Sequence, residues 1–216
     1  MKTLEISSLG FDSSKTDWEE ISQRLNKLGH EQKIDITPWS KYPYKPEVKF
    51  KIAYLKSDIY LKFYVKEKSI RAVNSNINDN VWEDSCVELF IAHSSEDVYY
   101  NFEFNCIGTC LVQKGTSRNN RSYFDAEVIQ SIKTFSSLGK DTFEEQVGDY
   151  SWDLTIKIPL ASFIDDIKDL KCNIMKANFY KCGDKLTDPH FLTWNQIKIK
   201  EPDFHRPDFF GDIYFI

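Results

Sequence analysis

Period-two alternation of apolar and polar residues constrains this chain more than any other feature. Between Asn101 and Cys106, the residues Phe102, Phe104 and Cys106 hold one phase, and Asn101, Glu103 and Asn105 hold the other. The same period runs through Val48, Phe50 and Ile52, through Val87, Leu89 and Ile91, and through Trp152, Leu154, Ile156 and Ile158. Successive side chains of a strand leave opposite faces, so each segment predicts a strand with one buried face. Turn-rich stretches such as Lys56-Ser57-Asp58 and Ser136-Ser137-Leu138-Gly139 separate them. The sum is roughly ten to fourteen short strands, the pattern of an all-β, antiparallel β-sandwich. With 16 Phe, 11 Tyr and 5 Trp in 216 residues, the chain has aromatic surface enough for one large core.

One segment breaks the pattern. Thr16 and Glu19 form a capping box, Trp18, Ile21, Leu25 and Leu28 follow at helical spacing, and Gly29 supplies a stop. Residues 17–28 are therefore expected as one amphipathic helix packed on the outside, with Trp18 as a packing residue. This divides the chain into an N-terminal extension, residues 1–32, and a sandwich, residues 33–216. Within the sandwich, Ile70 to Val73 is expected to add a short strand. Glu127 to Phe135 is expected as a further strand, and residues 160–167 as one or two helical turns.

The stretch Trp82-Glu83-Asp84-Ser85-Cys86-Val87-Glu88-Leu89-Phe90-Ile91 carries the functional signal. Glu88 lies on the strand face opposite Val87 and Leu89, between apolar neighbours, where an ionised carboxylate without a purpose is rare. Trp82 lies an even number of residues earlier, on the same face if strand geometry reaches back that far. It also ends the polar loop that begins at Asn74. An aromatic plate beside a fixed carboxylate suits a ligand with an apolar ring face and several hydroxyls, which is the character of a sugar. Asn101, Glu103 and Asn105 extend the same polar face if their strand is adjacent. Trp152 belongs to a core phase.

Composition excludes other classes. The net charge of −5 and the scattered Lys and Arg argue against a nucleic-acid partner. The basic loop from Thr116 to Arg121 is a rim or a solvated turn. No segment has the length and apolarity of a membrane span, and no secretory signal opens the chain, which fits a cytoplasmic protein unless a signal was trimmed. The five cysteines, Cys86, Cys106, Cys110, Cys172 and Cys182, are odd in number and are expected as free thiols. No Cys and His spacing matches a zinc site. His30, His93, His190 and His205 lie in unrelated contexts.

Trp82 to Phe90 resembles the W-x-D-D/S-x-V-E-x-F segment of family 9 carbohydrate-binding modules. Tyr99-Tyr100-Asn101-Phe102-Glu103-Phe104-Asn105, the Trp152 to Pro159 strand and the closing Phe209-Phe210-Gly211-Asp212-Ile213-Tyr214-Phe215 are similar too. The resemblance spans most of residues 33–216 and implies a β-sandwich of the DOMON-like class. It implies a non-catalytic site where a sugar ring sits between two Trp side chains, with a Glu and amides reading its hydroxyls. Trp82 and Glu88 match the first Trp and the Glu; Trp194 matches the second Trp, and Asn178 a neighbouring amide. The family's binding Arg has no clear counterpart, because the polar strand carries Asn101, Glu103 and Asn105. The expected ligand is a mono- or oligosaccharide, and the expected partner is a glycoside hydrolase acting on the same glycan. Structural calcium occurs in the family, although no calcium-loop spacing stands out here.

Three other readings compete. A glycoside hydrolase would use Glu88 and Glu103 across the scissile bond. A haem-binding DOMON-like domain would need axial ligands, and the two Met are Met1 and Met175. A protein-interaction sandwich would need neither. No G-x-S-x-G motif supports Ser/His/Asp catalysis.

Overall fold

The computed structural model describes residues 1–10, 17–93, 97–165 and 167–216. In chain order the strands are β1 (Thr3–Ile6), β2 (Gln32–Lys33), β3 (Glu47–Leu55), β4 (Asp58–Ala72), β5 (Cys86–His93), β6 (Tyr99–Asn105) and β7 (Cys110–Ser117). They continue as β8 (Asn120–Tyr123), β9 (Lys133–Ser136), β10 (Phe143–Pro159), β11 (Ile174–Cys182), β12 (Phe191–Thr193) and β13 (Gly211–Phe215). Two helices, α1 (Trp18–Lys27) and α2 (Ala126–Ile129), lie among them. One sheet runs β1-β13-β11-β5-β6-β7-β8, with β12 added to β11; the other runs β2-β3-β4-β10-β9. The β1–β13 pair is parallel and the remaining pairs are antiparallel.

The sheets face each other over one apolar core. Val87, Leu89 and Ile91 of β5 and Phe102 and Phe104 of β6 meet Leu61, Phe63 and Val65 of β4 and Leu154, Ile156 and Ile158 of β10. These are the apolar phases of the alternation, so the sequence period maps directly onto the inner faces. The outer face of the larger sheet is also covered. Residues 195–210 cross it and bury Phe90, Tyr99 and Tyr180 against Phe204 and Phe210. The Tyr180 and Phe204 rings stack at 4.2 Å, and the Tyr180 hydroxyl donates to the Phe204 carbonyl at 3.1 Å. Strand β5 is therefore buried on both faces.

Helix α1 packs Ile21 and Leu25 onto Ala53 and Tyr60 of the smaller sheet. Asp17 caps it, accepting from the Glu19 amide at 2.9 Å. Thr16, the expected cap, lies outside the described residues, as do Ser94 to Glu96.

Three expectations are corrected. Leu4 and Ile6 are buried in a strand of the larger sheet, so the N-terminal residues form part of the sandwich and residue 32 is no boundary. Ile70 to Ala72 continue β4 without a break. Glu127 to Phe135 is a short helix followed by β9; Ile129 and Ile132 enter the core at helical spacing, which outweighs the β-branched bias of the run. Among the described residues, no helix is long and apolar enough to cross a membrane.

Candidate functional site

A cleft of about 150 Å³ opens on the outer face of the larger sheet, beside the covering loop. Its floor is made of Glu88 from β5, Glu103 from β6 and Cys182 from β11. Glu88 stands opposite Glu103 in one register and opposite Tyr180 in the other, which puts it in the middle of three strands. Trp82 and Phe191 supply partly exposed aromatic wall. The rim holds Arg118 and Arg121 from the β7–β8 hairpin, Asp184, and the loop residues Asp203, Phe204 and His205.

Trp82 reaches the cleft from a single 3₁₀ turn, Val81–Glu83, and not by strand alternation. The turn is held from both sides. Its Trp82 carbonyl accepts from the Asp184 amide at 3.1 Å, and its Glu83 carbonyl from the Lys185 amide at 3.2 Å. Behind it Asp84 is fully buried and paired with Arg71 at 2.7 Å. Asp84 also accepts from the amides of Val73 and Asn74 and from Asn105 Nδ2. A buried carboxylate satisfied by four donors makes a rigid anchor for the loop that delivers Trp82.

The floor is electrostatically tense. Burial raises the carboxyl pKa of Glu88, and of Glu103 beside it, against the pull of Arg121. Two like charges in a low-dielectric floor favour retention of a proton by the pair. Glu88 Oε1 accepts from the Cys182 thiol at 3.1 Å, while Oε2 has no hydrogen-bond partner. Glu103 Oε1 accepts from Asn101 Nδ2 at 3.0 Å. Arg121 is held at the rim by Gln113 Oε1, at 2.5 Å, and by the Arg118 carbonyl at 2.9 Å. Burial pushes Asp184 up to about 6. Burial, aided by Arg121 and Arg118, holds His205 down to about 3, so its ring is neutral at ordinary pH.

Of the expected site residues, the structure brings Trp82, Glu88 and Glu103 to the cleft, with Asn101 buried behind Glu103. The other three lie elsewhere. Trp194 is fully buried in the inter-sheet core, edge-on to Phe179 at 5.6 Å and Phe50 at 6.5 Å, and its Nε1 donates to Gln32 Oε1 at 3.1 Å. It does not face Trp82. Its neighbour Asn195 is polar but internally satisfied, accepting from the Lys2 amide and donating to the Phe209 carbonyl. Asn178 ties the same region together, accepting from the amides of Phe179 and Asn195. Asn105 is a strut to Asp84 and to the Asn74 carbonyl.

Sequence reasoning missed Phe191, His205, Asp184 and Cys182, and left the basic loop of Arg118 and Arg121 as an unassigned rim. That loop does supply cationic rim groups to the polar strand that lacks an Arg of its own.

The donor cluster at the cleft floor does not suit calcium. Calcium takes six to eight oxygens. Among the described residues, the one group of three or more His, Cys, Asp or Glu donors close enough to share an ion is Cys86, Glu88 and Cys182, with two sulfurs.

A family model described as carbohydrate-binding family 9 matches residues 20–215. The fold is similar over 100% of this chain and 99% of the other to that of a candidate carbohydrate-binding protein from Bacteroides uniformis, with 43% identity and a TM-score of 0.93. A carbohydrate-binding module family 9 from Caldicellulosiruptor kristjanssonii in complex with cellotriose matches with a TM-score of 0.63 at 15% identity, over 99% of this chain and 93% of that one. A module of the same family and organism in complex with glucose matches with a TM-score of 0.56 at 15% identity, over 100% and 96%. Comparison with curated proteins gives no match.

Proposed function

Because the chain belongs to carbohydrate-binding family 9, we propose that it binds a mono- or oligosaccharide without turning it over, in the cleft above Glu88 and Glu103. The observation that carries this reading is the pairing of partly exposed aromatic wall with a buried, unpartnered acceptor. Trp82 and Phe191 offer apolar faces to the C–H face of a pyranose, at roughly 25 cal/mol for each Å² removed from water. Glu88 Oε2 lacks a partner and accepts a sugar hydroxyl. Arg118 and Arg121 donate from the rim, and Asn101 keeps Glu103 in place. In this reading Phe191, and not the buried Trp194, completes the wall opposite the floor.

A non-catalytic role is favoured by the placement of the two acids. Glycoside hydrolysis needs carboxyls on either side of the scissile bond. Glu88 and Glu103 are direct neighbours on adjacent strands of one floor, so a sugar resting there has both on the same side. A glycoside hydrolase acting on the same glycan is the natural partner for such a module.

Calorimetric titration against a panel of neutral mono- and oligosaccharides tests the proposal. Saturable binding is expected, with a loss of about tenfold or more, roughly 1.4 kcal/mol, in Trp82→Ala and in Glu88→Gln. Trp194→Phe should retain it. Silence across the panel from folded protein, or turnover of a bound glycan, would overturn the reading.

A further inference from the structure

Below the cleft floor, Cys86 of β5 and Cys182 of β11 stand directly opposite each other in the antiparallel register. Both are free thiols, and neither is exposed beyond 1%. Glu88, two residues along β5 on the same face, turns its carboxylate to them: Oε1 lies 3.1 Å from Cys182 Sγ and 4.0 Å from Cys86 Sγ. The three donor atoms all fall within 4.8 Å of one another. We propose that Cys86, Cys182 and Glu88 form a binding site for a thiophilic divalent cation of the zinc class, facing the cleft through an open fourth position.

The geometry supports this directly. Metal–sulfur bonds of about 2.3 Å and metal–oxygen bonds of about 2.0 Å at tetrahedral angles put sulfur about 3.5 Å from oxygen, and the two sulfurs about 3.8 Å apart. The observed sulfur–oxygen separations, 3.1 and 4.0 Å, lie on either side of that value, each within about half an ångström of it. Two sulfurs and one carboxylate select zinc or cadmium over calcium and magnesium. The residue placement supports it as well. Glu88 is nine-tenths buried or more, and its second oxygen has no protein partner. Asp184 also interacts with Cys182 and adds a further oxygen to the cleft lining. Three protein ligands with a fourth position toward a cleft is the arrangement that admits an exogenous ligand.

Electrostatics points the same way. Cys86, Cys182, Glu88, Glu103 and Asp184 crowd one region, with Arg118, Arg121 and Lys181 as the nearby cations. A divalent cation displaces the thiol protons and compensates the charge it creates. Glu88 then bridges, with Oε1 to the metal and Oε2 toward the cleft.

The site shares Glu88 with the proposed saccharide site, but its test needs no sugar. Reduced, chelator-stripped protein is titrated with Cd²⁺, and the ultraviolet charge-transfer band of cadmium thiolates is followed. Saturation at one equivalent per chain is expected. The band should survive Cys172→Ser, which alters the exposed thiol, and vanish in the Cys86→Ser/Cys182→Ser double variant. Glu88→Gln keeps both thiols and should weaken Cd²⁺ binding at least tenfold, which keeps the test decisive if the double variant does not fold. Absence of the band, its loss in Cys172→Ser, or unchanged affinity in Glu88→Gln would overturn the proposal. Saccharide titration of the same stripped protein reads the sugar site separately.

Discussion

Lys181 of β11 and Glu67 of β4 pair at 2.9 Å across the two sheets, with both side chains fully buried. The surroundings complete the pair. Trp152 Nε1 donates to Glu67 Oε1 at 2.7 Å. Lys181 Nζ lies 2.9 Å from His190 Nε2 and also donates to the Cys182 carbonyl. His190 Nδ1 faces the Asp188 carbonyl at 2.9 Å, so it carries the ring proton and leaves Nε2 to accept from the ammonium. Breaking such a pair strands a buried charge. Lys181→Met should cost about 3–5 kcal/mol in urea unfolding. The Lys181→Met/Glu67→Gln double variant should cost clearly less than the two singles summed, because nothing charged is then left unpaired. Strict additivity would show that the pair is not coupled.

Asp84 anchors the loop that carries Trp82, so its removal should reach the cleft from behind. Asp84→Ala leaves the Arg71 guanidinium and two backbone amides without their acceptor. A destabilisation of about 3–5 kcal/mol is expected. Saccharide affinity, measured at a temperature where the variant is folded, should fall as well. Lost stability with full affinity would mean that Trp82 is held by Asp184 and Lys185 alone.

Burial of His205 sets a pH dependence with a definite sign. Its folded pKa, about 3, lies below the ordinary value near 6.5. The unfolded chain therefore takes the proton first as pH falls. The contribution of His205 to stability is present above about pH 6.5 and is lost progressively toward pH 3, by at most about 1.4 kcal/mol per unit. Unfolding free energies of wild type and His205→Gln should converge between pH 7 and pH 4. A constant difference over that range would count against this burial.

Gly211 lies where β1, β13 and Trp194 meet. A Cβ there would come within 2.5 Å of the Lys2 carbonyl oxygen and 2.7 Å of the Trp194 ring. Gly211→Ala should therefore destabilise by about 1–3 kcal/mol through overpacking. Trp194→Ala should cost about 3–5 kcal/mol, as a core aromatic does. Differential scanning calorimetry reads both. A Trp194→Ala variant with unchanged stability would be incompatible with full burial.

The local parts of this architecture were legible. Alternation announced β5, β6 and β10 and named their inward residues, and the helical spacing of Ile21 and Leu25 announced α1. Trp82 and Glu88 were also readable, because a carboxylate inside an apolar strand is anomalous on its face. Trp194 was misread for an instructive reason. Its polar neighbours looked like a ligand's surroundings, yet Asn195 and Asn178 spend their hydrogen bonds on backbone groups inside the fold. Arg118 and Arg121 were visible as a basic loop, but nothing in their spacing said where the β7–β8 hairpin would end.

By itself, then, the sequence determined the fold class and which face of each main strand meets the core, because a strand's two faces follow from backbone geometry one residue at a time. Only the tertiary structure decided that the outer face of β5 is roofed by residues 195–210. It alone joined Phe191 and His205 to Glu88, and turned Trp194 inward. Those outcomes rest on contacts between segments more than ninety residues apart, where chain entropy and packing decide and periodicity is silent.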